Sequence, residues 1–265
     1  MMNENGNGGE VEMKTLVTMG RGGTGKTSFT ALMAKHFIAE GQTPILLVDL
    51  DPDQNLAEMV GVDLDKEGVK TIADLISDTF IRRGGTTTGI APTERIESRI
   101  WEEGLYEGGA FDLIAVGTKW VEGCYCLPDS ALKGALATIT KNYRYVLIDS
   151  PAGLEHLNRK VASRVNDIFD IIGPSHKSFE HVKRAHRIIK DVKINTDRFC
   201  IIGGYLFPES EEERAKTTLP HEYLGKVVQD PLVQEYVLSG RSLLDLPDDT
   251  PGYLSVKEIL TKAGY

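Results

Sequence analysis

The sequence predicts a doubly wound, mostly parallel α/β sheet, and three observations predict it. Short apolar runs recur along the chain: residues 16–19, 45–48, 113–116, 145–148, 168–172 and 199–202. Nearly unbroken apolarity is what a parallel strand needs when both sheet faces are covered. Stretches with helical spacing lie between several of these runs, as in alternating β and α units. The first run ends in a glycine-rich loop that opens a helix, Gly20-Arg21-Gly22-Gly23-Thr24-Gly25-Lys26-Thr27. A chain of 265 residues is ordinary for a single unit of this class. The expectation is one domain over residues 14–265, behind a disordered Asn/Gly/Glu-rich segment at residues 1–13.

Composition removes several function classes. A formal net charge of −9 lacks the basic face that non-specific DNA binding requires. No stretch is long and apolar enough to span a membrane. No signal peptide is visible, and the C-terminal residues 256–265 are not basic enough for a membrane-surface helix. Three cysteines do not suggest a disulfide framework. The expectation is a cytoplasmic protein with neither nucleic acid nor membrane as partner.

The loop fits the phosphate-binding spacing G-x-x-x-x-G-K-[ST]. Its glycines let backbone N–H groups approach phosphate oxygens, and the following helix presents its positive end to the same anion. Lys26 supplies a mobile positive charge, and Thr27 a hydroxyl for Mg²⁺. The competing reading is a plain glycine-rich turn; a strand before, a helix after and the full pattern between argue against it.

The helix after the loop runs from about Lys26 to Glu40, with Phe29, Leu32, Met33, His36 and Phe37 on one face. His36 reads as a packed core histidine. Residues 45–48 form the next strand and deliver Asp49, Asp51 and Asn55 to its carboxyl end, where α/β folds bind ligands. A carboxylate there can orient an attacking water or reach Mg²⁺ through water. Residues 56–110 read as helical and irregular. Ile72, Leu75, Ile76 and Phe80 have helical spacing. A stretch from Thr93 to about Leu105 turns Ile96, Ile100 and Trp101 inward.

After the strand at 113–116 comes Gly123-Cys124-Tyr125-Cys126. In an extended segment, residues i and i+2 point the same way, so both sulfurs can face one ion. Two thiolates do not complete a Zn²⁺ or other soft-metal site. A twofold axis through a homodimer would supply two more. The alternative is a pair of small buried thiols. The strand at 145–148 ends in Asp149, the pattern of an acid that holds Mg²⁺ through water. Strands at 168–172 and 199–202 flank a helix from about Phe179 to Val192. His181 and His186 on that helix read as solvated, and Cys200 as inert core.

Arg21 followed by Gly22-Gly23 resembles the deviant phosphate loop of dimeric ATPases that include partitioning, division-site and nitrogenase-reductase-like proteins. The resemblance implies that a basic residue at Arg21 reaches the partner's nucleotide. It also implies that Asp51 orients the attacking water, that Asn55 faces Mg²⁺, and that Gly153 senses the γ-phosphate. Ser28 closes the nucleotide-binding run. Within this group, residues 122–126, 152–157 and 240–247 look like the CooC-type nickel-inserting maturation ATPases of carbon monoxide dehydrogenase and acetyl-CoA synthase. That resemblance implies ATP or ADP with Mg²⁺, a homodimer, and Ni²⁺ or Zn²⁺ held by Cys124 and Cys126 of both subunits. It also implies a client nickel enzyme. Arg21, Gly203-Gly204 and Lys119-Trp120-Val121 depart from the pattern. Two other classes remain open: an iron–sulfur carrier or reductase-like ATPase using the same cysteines, and a positioning or partitioning ATPase.

Overall fold

A computed structural model describes residues 13–79, 92–117, 133–134, 136–152 and 164–265. Eight strands form one sheet: β1 Lys14–Gly20, β2 Ile45–Asp49, β3 Tyr106–Glu107, β4 Asp112–Ala115, β5 Tyr145–Asp149, β6 Arg164–Ile172, β7 Asn195–Gly203 and β8 Glu222–Lys226. Their order is β3-β4-β2-β5-β1-β6-β7-β8. Every pairing is parallel except β3 with β4, so the expected fold class is the one found. The interior strands coincide with the apolar runs. The two edge strands were not anticipated: β3 has two residues, and β8 is mostly half-exposed, so neither carries an apolar run.

Alternation along each strand splits the core in two. Leu16, Leu47, Leu147, Phe169 and Ile171 pack on one face, and Val17, Met19, Leu46, Val48, Ile148 and Ile168 on the other. The first face is covered by α1 (Lys26–Ala39) and a C-terminal helix, Pro251–Lys262, whose Tyr253, Val256, Ile259 and Leu260 are buried. Between α1 and that helix come α2 (Asn55–Met59), α3 (Leu64–Glu67), α4 (Ile72–Ser77), α5 (Pro92–Glu103), α6 (His176–Val192), α7 (Glu212–Thr218) and α8 (Pro231–Leu238). The C-terminal helix is α9. Buried residues of α4, α5 and α6 cover the second face. His36 is packed in α1, neither ring nitrogen has a partner, and burial lowers its pKa, as for a neutral core histidine.

Two expectations about orientation are corrected. Trp101 is not inward but 39% exposed. Ile96 and Ile100 take the buried stripe of α5, and the next residue lies a hundred degrees round the helix. His181 and His186 are not solvated. The buried stripe of α6 is Ser178, Phe179, Val182, Ala185 and Ile189. His181 stands three residues after Ser178 and His186 four after Val182, so each flanks that stripe. The His181 side chain is only 10% exposed and faces Asp170. His186 Nδ1 lies 2.6 Å from His221 Nε2, and His221 stacks on Phe199. Among the described residues, no helix is long and apolar enough to cross a membrane.

Candidate nucleotide site

The carboxyl ends of β1, β2 and β5 bring Gly20, Asp49 and Asp149 to one edge of the sheet, where parallel α/β sheets present ligand sites. Gly20 is required by the packing. Its φ is +140°, and a Cβ there would stand 2.3 Å from the Ile171 carbonyl oxygen. The loop then folds on itself: the Thr24 hydroxyl donates to the Arg21 carbonyl at 2.9 Å, and Lys26 Nζ donates to the same oxygen at 3.4 Å. Lys26 is buried while Arg21, Gly22 and Gly23 are exposed. α1 starts at Lys26 with no side-chain cap, so its first N–H groups are open to an anion.

Asp149 is fully buried beneath this helix end. Its carboxylate accepts from the Thr27 hydroxyl at 2.7 Å and the Thr30 hydroxyl at 3.4 Å. Burial pushes its pKa up to about 7, against the pull of Thr27 and Lys26. Asp49 is its register neighbour across the β2–β5 pairing. It accepts the backbone N–H groups of Asp51 at 2.9 Å and Leu56 at 3.0 Å, which fixes the loop after β2. Burial and then the charge of Asp149 push Asp49 up to about 7 as well. Asp51, half-buried, accepts the N–H of Asp53 at 3.1 Å and lines the cleft with exposed Asn55 at the start of α2. Ser28 lines it too, its hydroxyl 3.7 Å from the Met59 sulfur. The Thr27 hydroxyl and Asp149 carboxylate are adjacent hard oxygen donors, a set that suits Mg²⁺.

The cleft has a volume of about 600 Å³ and runs from the loop to an apolar end that sequence reasoning missed. Tyr205, Val227, Val233 and Val237 line that end, with Gln234 beside them. No motif marks these residues; they come from the turn after β7, the segment after β8, and α8. Gly204 had a signal in the Gly203-Gly204 pair, though its role is packing. A Cβ at Gly204 would stand 2.4 Å from the Thr24 carbonyl oxygen, so this residue lets β7 abut the loop. Thr30 was also missed, one turn beyond Lys26.

Gly153, Cys124 and Cys126 lie outside the described residues. Among the described residues, no group of three or more His, Cys, Asp or Glu side chains is arranged to hold a metal ion. Cys200 is fully buried, and burial pushes its thiol up to about 11, so it is an inert core residue.

Known proteins resemble the chain that carries this loop. The model of the AAA domain family AAA_31 covers residues 14–200. The chain belongs to this family. It is a P-loop ATPase domain. An uncharacterized ATP-binding protein of Methanocaldococcus jannaschii is 30% identical over 251 residues, which are 93% of this chain and 97% of the relative. The carbon monoxide dehydrogenase accessory protein CooC of Rhodospirillum rubrum is 29% identical over 246 residues, 88% of this chain and 90% of its own. Solved structures share the fold. A ParA family ATPase from Chlorobium tepidum superposes with a TM-score of 0.71 at 16% identity, covering 94% of this chain and 98% of its own. The septum site-determining protein MinD from Pyrococcus horikoshii, complexed with Mg-ADP, gives 0.66 at 18% identity, over 95% and 96%.

Proposed function

We propose that this AAA_31 member is a dimeric, ATP-hydrolysing metallochaperone. It binds Mg-ATP on the loop Gly20–Thr27 and delivers Ni²⁺ held by Cys124 and Cys126 to carbon monoxide dehydrogenase or acetyl-CoA synthase. The observation that carries the nucleotide half is the Thr27–Asp149 contact beneath an uncapped helix end. The metal half is supported by the C-x-C spacing and by the full-length similarity to the CooC protein.

In this reading the backbone of residues 20–25 and the start of α1 cradle the phosphates, and Lys26 neutralises their charge. Lys26 leaves the Arg21 carbonyl to do so, and that oxygen keeps the Thr24 hydroxyl. Thr27 and Asp149 would hold Mg²⁺, which would supply charge neutralisation to the phosphates. Asp51 orients the attacking water, Asn55 faces the metal side, and Gly153 senses the γ-phosphate. The Tyr205–Val237 end takes the base by stacking and apolar contact. Arg21 reaches the nucleotide of the second subunit. A planar guanidinium gives that contact a bidentate geometry that lysine cannot reproduce. Two thiolates per chain make an incomplete soft-metal site, so tight Ni²⁺ binding needs two chains.

Equilibrium nickel titration with sedimentation, in the apo, ADP and non-hydrolysable ATP states, tests the reading. One Ni²⁺ per dimer is expected, lost in both Cys124→Ser and Cys126→Ser. One metal per monomer that survives both substitutions would sink the shared site. ATP hydrolysis with no nickel binding in any state would leave a plain ATPase of this fold.

A further inference from the structure

The sheet face opposite α1 carries another buried carboxylate, which the phosphate chemistry above does not use. Asp170 lies in β6, in register with Met19 of β1 and Ile201 of β7. It is fully buried, and neither of its oxygens has a hydrogen-bond partner. His181 of α6 brings Nε2 to 3.9 Å from Asp170 Oδ1, and that nitrogen has no partner either. An isolated buried carboxylate changes its protonation rather than remain charged without compensation. The place is also specific. Met19 immediately precedes Gly20, so Asp170 sits directly behind the phosphate loop.

The charged groups acting on this pair come from two elements. Lys26 and Arg21 belong to the loop, and Arg184 to α6. The flanking strands present only the apolar Met19 and Ile201 beside Asp170. Lys26 thus acts on both members of the buried pair and Arg21 and Arg184 on His181, and Lys26 is the cation that a phosphate chain on this loop would engage.

We propose that Asp170 and His181 are positioning residues for the phosphate loop, a proton-holding pair that takes up a proton from solvent when a phosphate chain occupies the loop. The inference rests on the nucleotide reading of the cleft. Its sign follows from the charges. Burial pushes Asp170 up to about 7 while Lys26 pulls it down, and burial, then Arg21, Arg184 and Lys26, push His181 down to about 4. Phosphate oxygens at Lys26 cancel the repulsion that this cation exerts on a proton in the pair. The pair then binds its proton more tightly. A protonated pair, in turn, attracts the Lys26 ammonium less, so its charge is left to the ligand. By linkage, a proton taken up on binding makes affinity fall as pH rises.

Calorimetric titration of the full chain with Mg-ADP, in two buffers of different ionisation enthalpy, counts the protons exchanged. At pH 7.5, wild type should take up about half a proton more than Asp170→Asn, and its ADP affinity should fall about threefold more per pH unit. Asp49 and Asp149 are intact in both proteins, so the difference isolates Asp170. His181→Gln should move the pH midpoint of the effect, and an unmoved midpoint overturns the pairing. A second reading needs no variant: ADP should increase the infrared band of a buried protonated carboxyl in wild type, and no increase overturns the proposal. Equal proton uptake in wild type and Asp170→Asn, with ADP bound by both, overturns the pair alone. A wild-type chain that binds no ADP overturns the nucleotide reading and the pair with it.

Discussion

Asp149 and Asp170 sit at comparable depth, each fully buried in an interior strand next to the loop-bearing strand β1, and their surroundings are opposite. Asp149 faces α1 and accepts two hydroxyls, from Thr27 and Thr30. Asp170 faces α6 and accepts nothing. Burial pushes both up to about 7. The difference teaches that burial alone does not define a ligand site. Asp149 has oxygen donors beside it and an open cleft above Thr27, which suits a hard cation. Asp170 has an imidazole 3.9 Å away and no hydrogen-bond donor on either oxygen, which suits a proton.

Turnover separates the two faces most strongly. Asp51→Ala and Asp149→Asn should each lower ATP hydrolysis by about 10²–10⁴-fold. Asp51→Ala should keep ATP affinity near wild type, because water orientation matters only in the transition state. Asp149→Asn should lose the dependence of binding on Mg²⁺. Steady-state hydrolysis measured beside ATP affinity checks both, and wild-type turnover in Asp51→Ala removes its assignment.

Stability against pH comes next. An aspartate whose folded pKa is raised above its unfolded value favours the fold at low pH. That contribution is lost as pH rises from about 4 through about 7. Asp170→Asn removes an uncompensated buried charge, so the nucleotide-free protein should gain about 1–3 kcal/mol at pH 8 and little at pH 4. Asp149→Asn should gain less at pH 8, since its charge is already partly offset by two hydroxyls. Urea melts at the two pH values measure this. An equal gain for both variants would erase the contrast between the faces.

The smallest effect is expected at the far flank of α6. Burial lowers the pKa of His186 and brings His221 down to about 4, so the unfolded chain binds more protons below pH 6.5. The pair's contribution is present above that value and lost as pH falls toward 4. His221→Phe keeps the stack on Phe199 and removes the titrating ring. Its melting temperature should therefore drop less than wild type between pH 6.5 and pH 4.5, by a few degrees. An identical drop would show that the two rings carry no acid sensitivity.

Sequence by itself determined the interior strands, the phosphate loop and the acids at strand ends. The signals involved are local. An apolar run such as residues 145–148 needs no knowledge of its neighbours, and Gly20–Thr27 is one uninterrupted motif read against the strand before it. Asp170 was also visible as a charge inside an apolar run, but nothing local says what meets it. The tertiary structure decided which hydroxyls reach Asp149, that His181 reaches Asp170, and that the cleft ends on Tyr205, Val227 and Val237. Thr27 and Asp149 are 122 positions apart. Their meeting follows from strand order, which places β5 beside β1 while β2, β3 and β4 intervene in the chain. Strand order, in turn, comes from packing α1 and α9 on one face and α6 on the other. That is a global balance of buried surface, and no window of sequence contains it.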